Sequence, residues 1–465
     1  MKKYAVFFTA LFYMTCVAAY TQSLGDLARD EQKRREGVSD GIEIILESAP
    51  LAVPDEISKD VDADAKKDGD NSNKKASTKG SGTNRPSSGA QAVAAVNAFA
   101  IDVYKQLAAE SGNLFFSPYN ISSALAMAYA GARGNTAAEM AKALRFTGIE
   151  TEIHESMKSL QDRLNSIPYE EGILEAANGL WVDELEQIEP GYEALARKNY
   201  GAEAKTADFS SKPRESERMI NDWVAQKTRD KIRDVFNGNV SPATKMVLVS
   251  AIYFNSAWFA PFKKALTETK PFTAGDGRER GVPMMHREGY YSYGENSDAQ
   301  WVKIPYRIPG FSMLILLPRE NSSFTQMEYL EKKLTSNTLV SWTADMRYIE
   351  VDLRMPKFRD ERSYPLKGIL QKLGMNAAFD MKKSDFSGML QRSDGFSIDN
   401  VVHKTFIEVD EEKTEAAAVT GVFIALGAAP KPPPVEFNAD HPFIYCIVDD
   451  NAGGLILFMG RMEQP

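Results

Sequence analysis

From about Ala90 onward, the apolar and polar positions alternate in ways that separate helices from strands. Ala94, Val96, Phe99, Ala100, Val103 and Tyr104 recur at helical spacing and predict an amphipathic helix through Ala109, ended by Ser111-Gly112-Asn113. Residues 121–132 predict a helix rich in small side chains, 136–144 another, and 216–228 a further one beyond a loop opened by Asp208-Phe209-Ser210. Residues 363–373 read as a helix ended by Gly374. Short runs at 173–182, 246–254, 301–305, 312–317 and 349–353 predict strands. The last third is almost all strand, at 406–409 and from 443 to 459. Helices come first, strands mostly later, without regular βαβ alternation or internal repeats, so the fold class expected is a large α+β domain.

Residues 411–430 fit this pattern least well. Glu411, Glu412, Lys413 and Glu415 make the start charged, whereas Ala416 to Pro430 carries no charge. With period two, Thr414, Ala416, Ala418, Thr420, Val422, Ile424 and Leu426 share one face, small at first and apolar later. Pro430, Lys431, Pro432, Pro433 and Pro434 follow and cannot pair regularly in a sheet. The segment is therefore either a core strand or a loop able to become one.

Composition narrows the class. A 465-residue chain that is 43% hydrophobic and 26% charged has enough apolar material for a large core. A formal charge of −9 gives no electrostatic reason to expect a nucleic-acid partner. Lys2 and Lys3 before the apolar run 4–13, then Val17-Ala18-Ala19, predict a signal peptide over 1–19 and export to the periplasm or beyond. The run is too short to span a bilayer, so no stable membrane insertion is expected; lipid attachment at Cys16 is the alternative. Cleavage would leave Cys446 as the sole thiol, and its apolar surroundings predict a buried small hydrophobe. Residues 20–89 read as a charged extension, with a disordered linker at 59–88 too poor in large apolar residues to offset ordering entropy. Asp60, Asp62 and Asp64 lack the Gly and closing Glu of a calcium loop. His154, His286, His403 and His441 are scattered, and no nucleophile elbow, Cys-x-x-Cys, His-x-x-x-His or phosphate loop occurs. Neither enzyme activity nor a cofactor or metal is expected.

Several stretches resemble the serpins, large metastable protease inhibitors. They include Asn113-Leu-Phe-Phe-Ser-Pro118, Ile220-Asn-Asp-Trp-Val224, Leu248 to Phe254 with Trp258, Val282-Pro-Met-Met-His286, Pro356-Lys-Phe358, Val401-Val-His-Lys404, Phe437-Asn-Ala-Asp-His-Pro-Phe443 and Leu457-Phe-Met-Gly-Arg461. They run in family order over 90–465. The resemblance implies three β-sheets, eight or nine helices and an exposed reactive-centre loop at 411–434. It implies a monomer, prone to loop-insertion polymers, that acts as a suicide substrate. A serine protease cleaves the loop, stays acyl-linked, and is trapped as the loop inserts into the main sheet. The hinge would be Glu411, Glu412, Lys413, Thr414, Glu415, Ala416, Ala417 and Ala418. The reactive bond would be Gly427–Ala428, with Leu426 and Ala429 as flanking alternatives. Such small or apolar residues imply elastase-, subtilisin- or chymotrypsin-like targets. Asn113, Ser117, Asn120, Ser250 and His403 would form the polar cluster gating sheet opening, with Trp258 where the loop enters. Lys413 departs from the Gly usual in the family's inhibitors, which leaves a non-inhibitory carrier, chaperone or structural role as the alternative. Asn120 and Ser250 replace the family's usual Ser and Asn.

Overall fold

The computed structural model describes residues 88–168, 172–238, 240–319, 324–391, 395–411 and 432–465. The expected signal peptide, nearly all of the extension, the hinge beyond Glu411 and the reactive bond lie outside the described residues. The helices are α1 (Ser88–Leu107), α2 (Pro118–Gly131), α3 (Gly134–Ala143), α4 (Glu150–Asn165), α5 (Pro190–Tyr200), α6 (Pro213–Lys227), α7 (Phe324–Lys333), α8 (Ser336–Ala344) and α9 (Lys367–Lys372). The strands are β1 (Leu114–Phe116), β2 (Ile173–Asp183), β3 (Glu203–Ala207), β4 (Met246–Asn255), β5 (Glu268–Thr273), β6 (Glu279–Glu295), β7 (Ala299–Pro305), β8 (Phe311–Pro318), β9 (Arg347–Pro356), β10 (Phe358–Pro365), β11 (Asn400–Val409), β12 (Val435–Asn438), β13 (Phe443–Asp449) and β14 (Leu455–Met462).

The strands form two hydrogen-bonded sets among the described residues. Five make one sheet in the order β10-β11-β4-β2-β3. Nine make the other, β1-β14-β13-β8-β7-β6-β9-β12, with β5 on β6. Strands expected in three sheets are joined in two sets because β6 is 17 residues long and pairs successively with β5, β9 and β7.

Every residue of α2 is buried. Ser122, Ala124, Ala126, Ala128 and Ala130 are small enough for this helix to sit beneath the five-stranded sheet while touching β2, β4 and β14. Gly131 ends the helix where a Cβ would lie 2.5 Å from that of Met389, so only glycine fits. The helix starts cleanly, with Pro118 in its first turn and the Ser117 hydroxyl accepting from the Asn120 N–H at 3.1 Å.

A second apolar core fills the opposite face of the five-stranded sheet. Ile220 and Val224 of α6, with Ile232, Val235 and Phe236 beyond it, pack on Val247, Val249, Ala251 and Tyr253 of β4 and on Val402 and Phe406 of β11. Trp181 meets Trp223 edge-on at 4.8 Å. Asn221 fastens this layer, donating to the Phe236 carbonyl at 2.8 Å and accepting from its N–H at 3.0 Å.

Two expectations are corrected. Residues 363–365 belong to β10, and the helix is only Lys367–Lys372. Pro365 is the physical reason, because it forces Tyr364 into extended backbone. The run 443–459 is two strands turned back on each other, since Asp450–Ala452 form a 3₁₀ turn and Gly453 and Gly454 both take positive φ.

Candidate functional site: the seam between β4 and β11

β4 and β11 are parallel and directly paired, from Asn400 opposite Val247 to Phe406 opposite Tyr253. Each has an antiparallel partner on its other side, β2 for β4 and β10 for β11. This seam is the sheet's junction between two antiparallel pairs, and parallel pairing is slightly weaker per residue.

His403 of β11 stands opposite Ser250 of β4, and both are fully buried. The Ser117 N–H donates to His403 Nε2 at 2.9 Å. Nε2 is therefore an acceptor and the imidazole proton sits on Nδ1, which donates to the Ser250 carbonyl at 2.9 Å and lies 3.0 Å from its hydroxyl. Asn120 Nδ2 donates to Ser250 Oγ at 2.9 Å. Ser117 Oγ donates to the Leu457 carbonyl of β14 at 2.6 Å. Ser117, Asn120, Ser250 and His403 thus form one network that ties the start of α2 to both sides of the seam. Burial drives the His403 pKa down to about 3, only partly opposed by its bond to Ser250.

Asn113, grouped with these residues in the sequence reading, lies elsewhere. It accepts from the N–H groups of Glu463 and Gln464 at 2.7 and 2.9 Å and donates to the Gln464 carbonyl at 2.6 Å. It pins the C-terminal residues. β1 is extended, so the three residues between Asn113 and Ser117 carry the two side chains apart.

The seam's end beyond β11 is also fastened. Trp258 Nε1 donates to the Asp410 carbonyl at 2.9 Å, and its ring stacks on Tyr306 at 4.6 Å. The buried Glu411 carboxylate accepts from Thr267 Oγ1 at 2.7 Å and pairs with Lys357 Nζ at 2.7 Å. Burial pushes its pKa upward, but Lys357 and Thr267 outweigh this and leave it below the ordinary range. Thr267 and Lys357 were missed by sequence reasoning. They lie 144 and 54 positions from Glu411, and nothing local marks them as partners.

Comparison with known proteins agrees with this geometry. The family described as Serpin (serine protease inhibitor) matches residues 94–465. An uncharacterized serpin-like protein of Thermococcus kodakarensis is 40% identical over 80% of this chain and 85% of its own. The leukocyte elastase inhibitor of Equus caballus is 38% identical over 79% of this chain and 97% of its own. The structure of human thyroxine-binding globulin superposes with a TM-score of 0.73 at 28% identity, covering 81% of this chain and 99% of that one.

Two outcomes are expected. His403 has a folded pKa below its ordinary unfolded value near 6.5, so the unfolded chain takes up a proton that the folded one refuses. Native stability should be complete above about pH 6.5 and fall by up to about 1.4 kcal/mol per unit toward pH 3. Denaturant titrations at stepped pH should show this slope in the natural protein and a shallower one in His403→Gln. Glu411→Ala should lower stability by about 2 kcal/mol, because Lys357 and Thr267 lose a buried acceptor; thermal unfolding measures it.

With the motifs, the fold and the seam in agreement, the chain belongs to the serpin family.

Proposed function

We propose that this serpin inhibits a serine endopeptidase with a small-residue preference, acting as a suicide substrate. The observation that carries this reading is the direct parallel pairing of β4 and β11. A strand turning back at Glu411 would run antiparallel to β11, and therefore antiparallel to β4 as well. One parallel ladder would become two antiparallel ones. Thr414, Ala416, Ala418 and Thr420 would pass over the Ser117–His403 network with little steric cost. Burying Val422, Ile424 and Leu426 would then add roughly 1.5–3 kcal/mol per side chain. Gly427–Ala428 is the bond we assign to cleavage, which suits elastase- or subtilisin-like proteases. Similarity to the leukocyte elastase inhibitors of Equus caballus and Homo sapiens supports that class. No helix among the described residues is long and apolar enough to cross a membrane. Export rests on residues 1–19 alone.

A second reading, a serpin without inhibitory activity, is favoured by Lys413. Lys resists backbone angles that Gly accepts, and slow insertion lets the acyl-enzyme hydrolyse first.

Mixing the protein with an elastase at equal concentration should give a covalent complex on denaturing gels and release the fragment beginning at Ala428. Complete loop cleavage with no complex would sink the inhibitory reading, and an unchanged melting temperature after nicking would establish the second. Lys413→Gly should increase the fraction of protease trapped per loop cleaved, read by titrating residual protease activity.

A further inference from the structure

β6 and β9 form a regular antiparallel ladder in the other sheet, and part of one face of it is open to solvent. Along β6, Met285 and Tyr291 are buried, while His286, Glu288 and Tyr290 project from the other face. Along β9, Val351, Leu353 and Met355 are buried, and Glu350, Asp352 and Arg354 lie on the outer face. The register sets Glu288 opposite Asp352 and His286 opposite Arg354. β12 continues both rows, with Glu436 beside Asp352 and Asn438 beside Arg354. Three carboxylates therefore stand side by side across three strands, and like charges placed directly opposite repel.

We propose that His286, Glu288 and Asp352 bind a divalent transition metal of the zinc class. One nitrogen or oxygen from each residue lies within 4.8 Å of the others. His286 and Glu288 are two apart on one strand and Asp352 faces them from the next. Three donors thus come from rigid backbone and leave further positions open. His286 Nε2 is 2.7 Å from Asp352 Oδ1. Two ligands of a shared tetrahedral zinc stand roughly 3.2 Å apart, so a small opening of that hydrogen bond admits the ion. Arg354 holds the other Asp352 oxygen at 2.9 Å and so fixes the carboxylate's direction. Its positive charge opposes a cation, but Glu288, Asp352 and Glu436 together outweigh it; Glu268 nearby is neutralised by Lys270 at 2.7 Å. The imidazole donor selects a borderline metal over calcium or magnesium. The bound ion crosslinks β6 to β9, the strand that, among the described residues, pairs with the four residues of β12. Spacing in the sequence hides this site, because the third ligand is 64 positions from the second.

Equilibrium dialysis of the full chain against graded free zinc tests this, with His286→Gln, Glu288→Gln and a control His441→Gln compared side by side. The natural protein and the control should bind a saturable zinc that either site variant weakens more than about tenfold. Zinc should also raise the unfolding temperature of the natural protein and of the control, but not of the site variants. The variants replace solvent-facing side chains, and circular dichroism confirms that they fold. The assignment is overturned by no uptake up to about 0.1 mM zinc. It is equally overturned by uptake unchanged in both site variants, or by calcium displacing zinc at equal concentration.

Discussion

The pairing of β4 with β11 is the constraint on which the rest of the structure depends. A sheet could close this seam by backbone hydrogen bonds alone. Here it is also held from beneath, where a neutral His403 links Ser117 and Ser250, and covered from above, where α6 and the residues after it pack on both strands. The two holds differ in kind. The polar network is directional and fails if either strand shifts, since Ser250 and His403 would then be left buried and unpartnered. The apolar cover is tolerant of small shifts but must lift for anything to pass beneath it.

What the sequence disclosed follows from where the information lies. The helix around Val96, Phe99, Val103 and Tyr104 was legible because each apolar residue repeats at a local period and is buried in α1. β4 was legible because Met246 to Phe254 is buried on both faces and reads as one apolar run. β6 was not, since Gly281, Pro283, Gly289 and Gly294 break its pattern and several partner strands compensate. The cluster was legible for Ser117, Asn120, Ser250 and His403 because they sit in segments that resemble the family. Asn113 came into the cluster only through the resemblance; in the structure the extended β1 separates it from Ser117 and it bonds Glu463 and Gln464 instead.

β14, near the carboxyl end of the sequence, belongs to the interior. β14 lies between β1 and β13. Arg461 is buried there against Glu331 at 3.0 Å, with Tyr104 donating to the same carboxylate at 2.8 Å. Asn113 and Gly112 hold the residues that follow. Desolvation offsets much of the attraction in such a buried pair, so its net contribution to stability is small. The core cannot be completed until the last strand is in place.

Cys446 sits in the middle of β13 with no accessible surface, and burial pushes its thiol up to about 12. At neutral pH the sulfur is neither ionised nor reachable, so it meets neither condition for thiol exchange. Among the described residues, the contacts that hold β4 against β11 are made of hydrogen bonds, ion pairs and packing. Such contacts hold equally well in reducing and oxidising surroundings, so the seam does not depend on the redox potential around the protein.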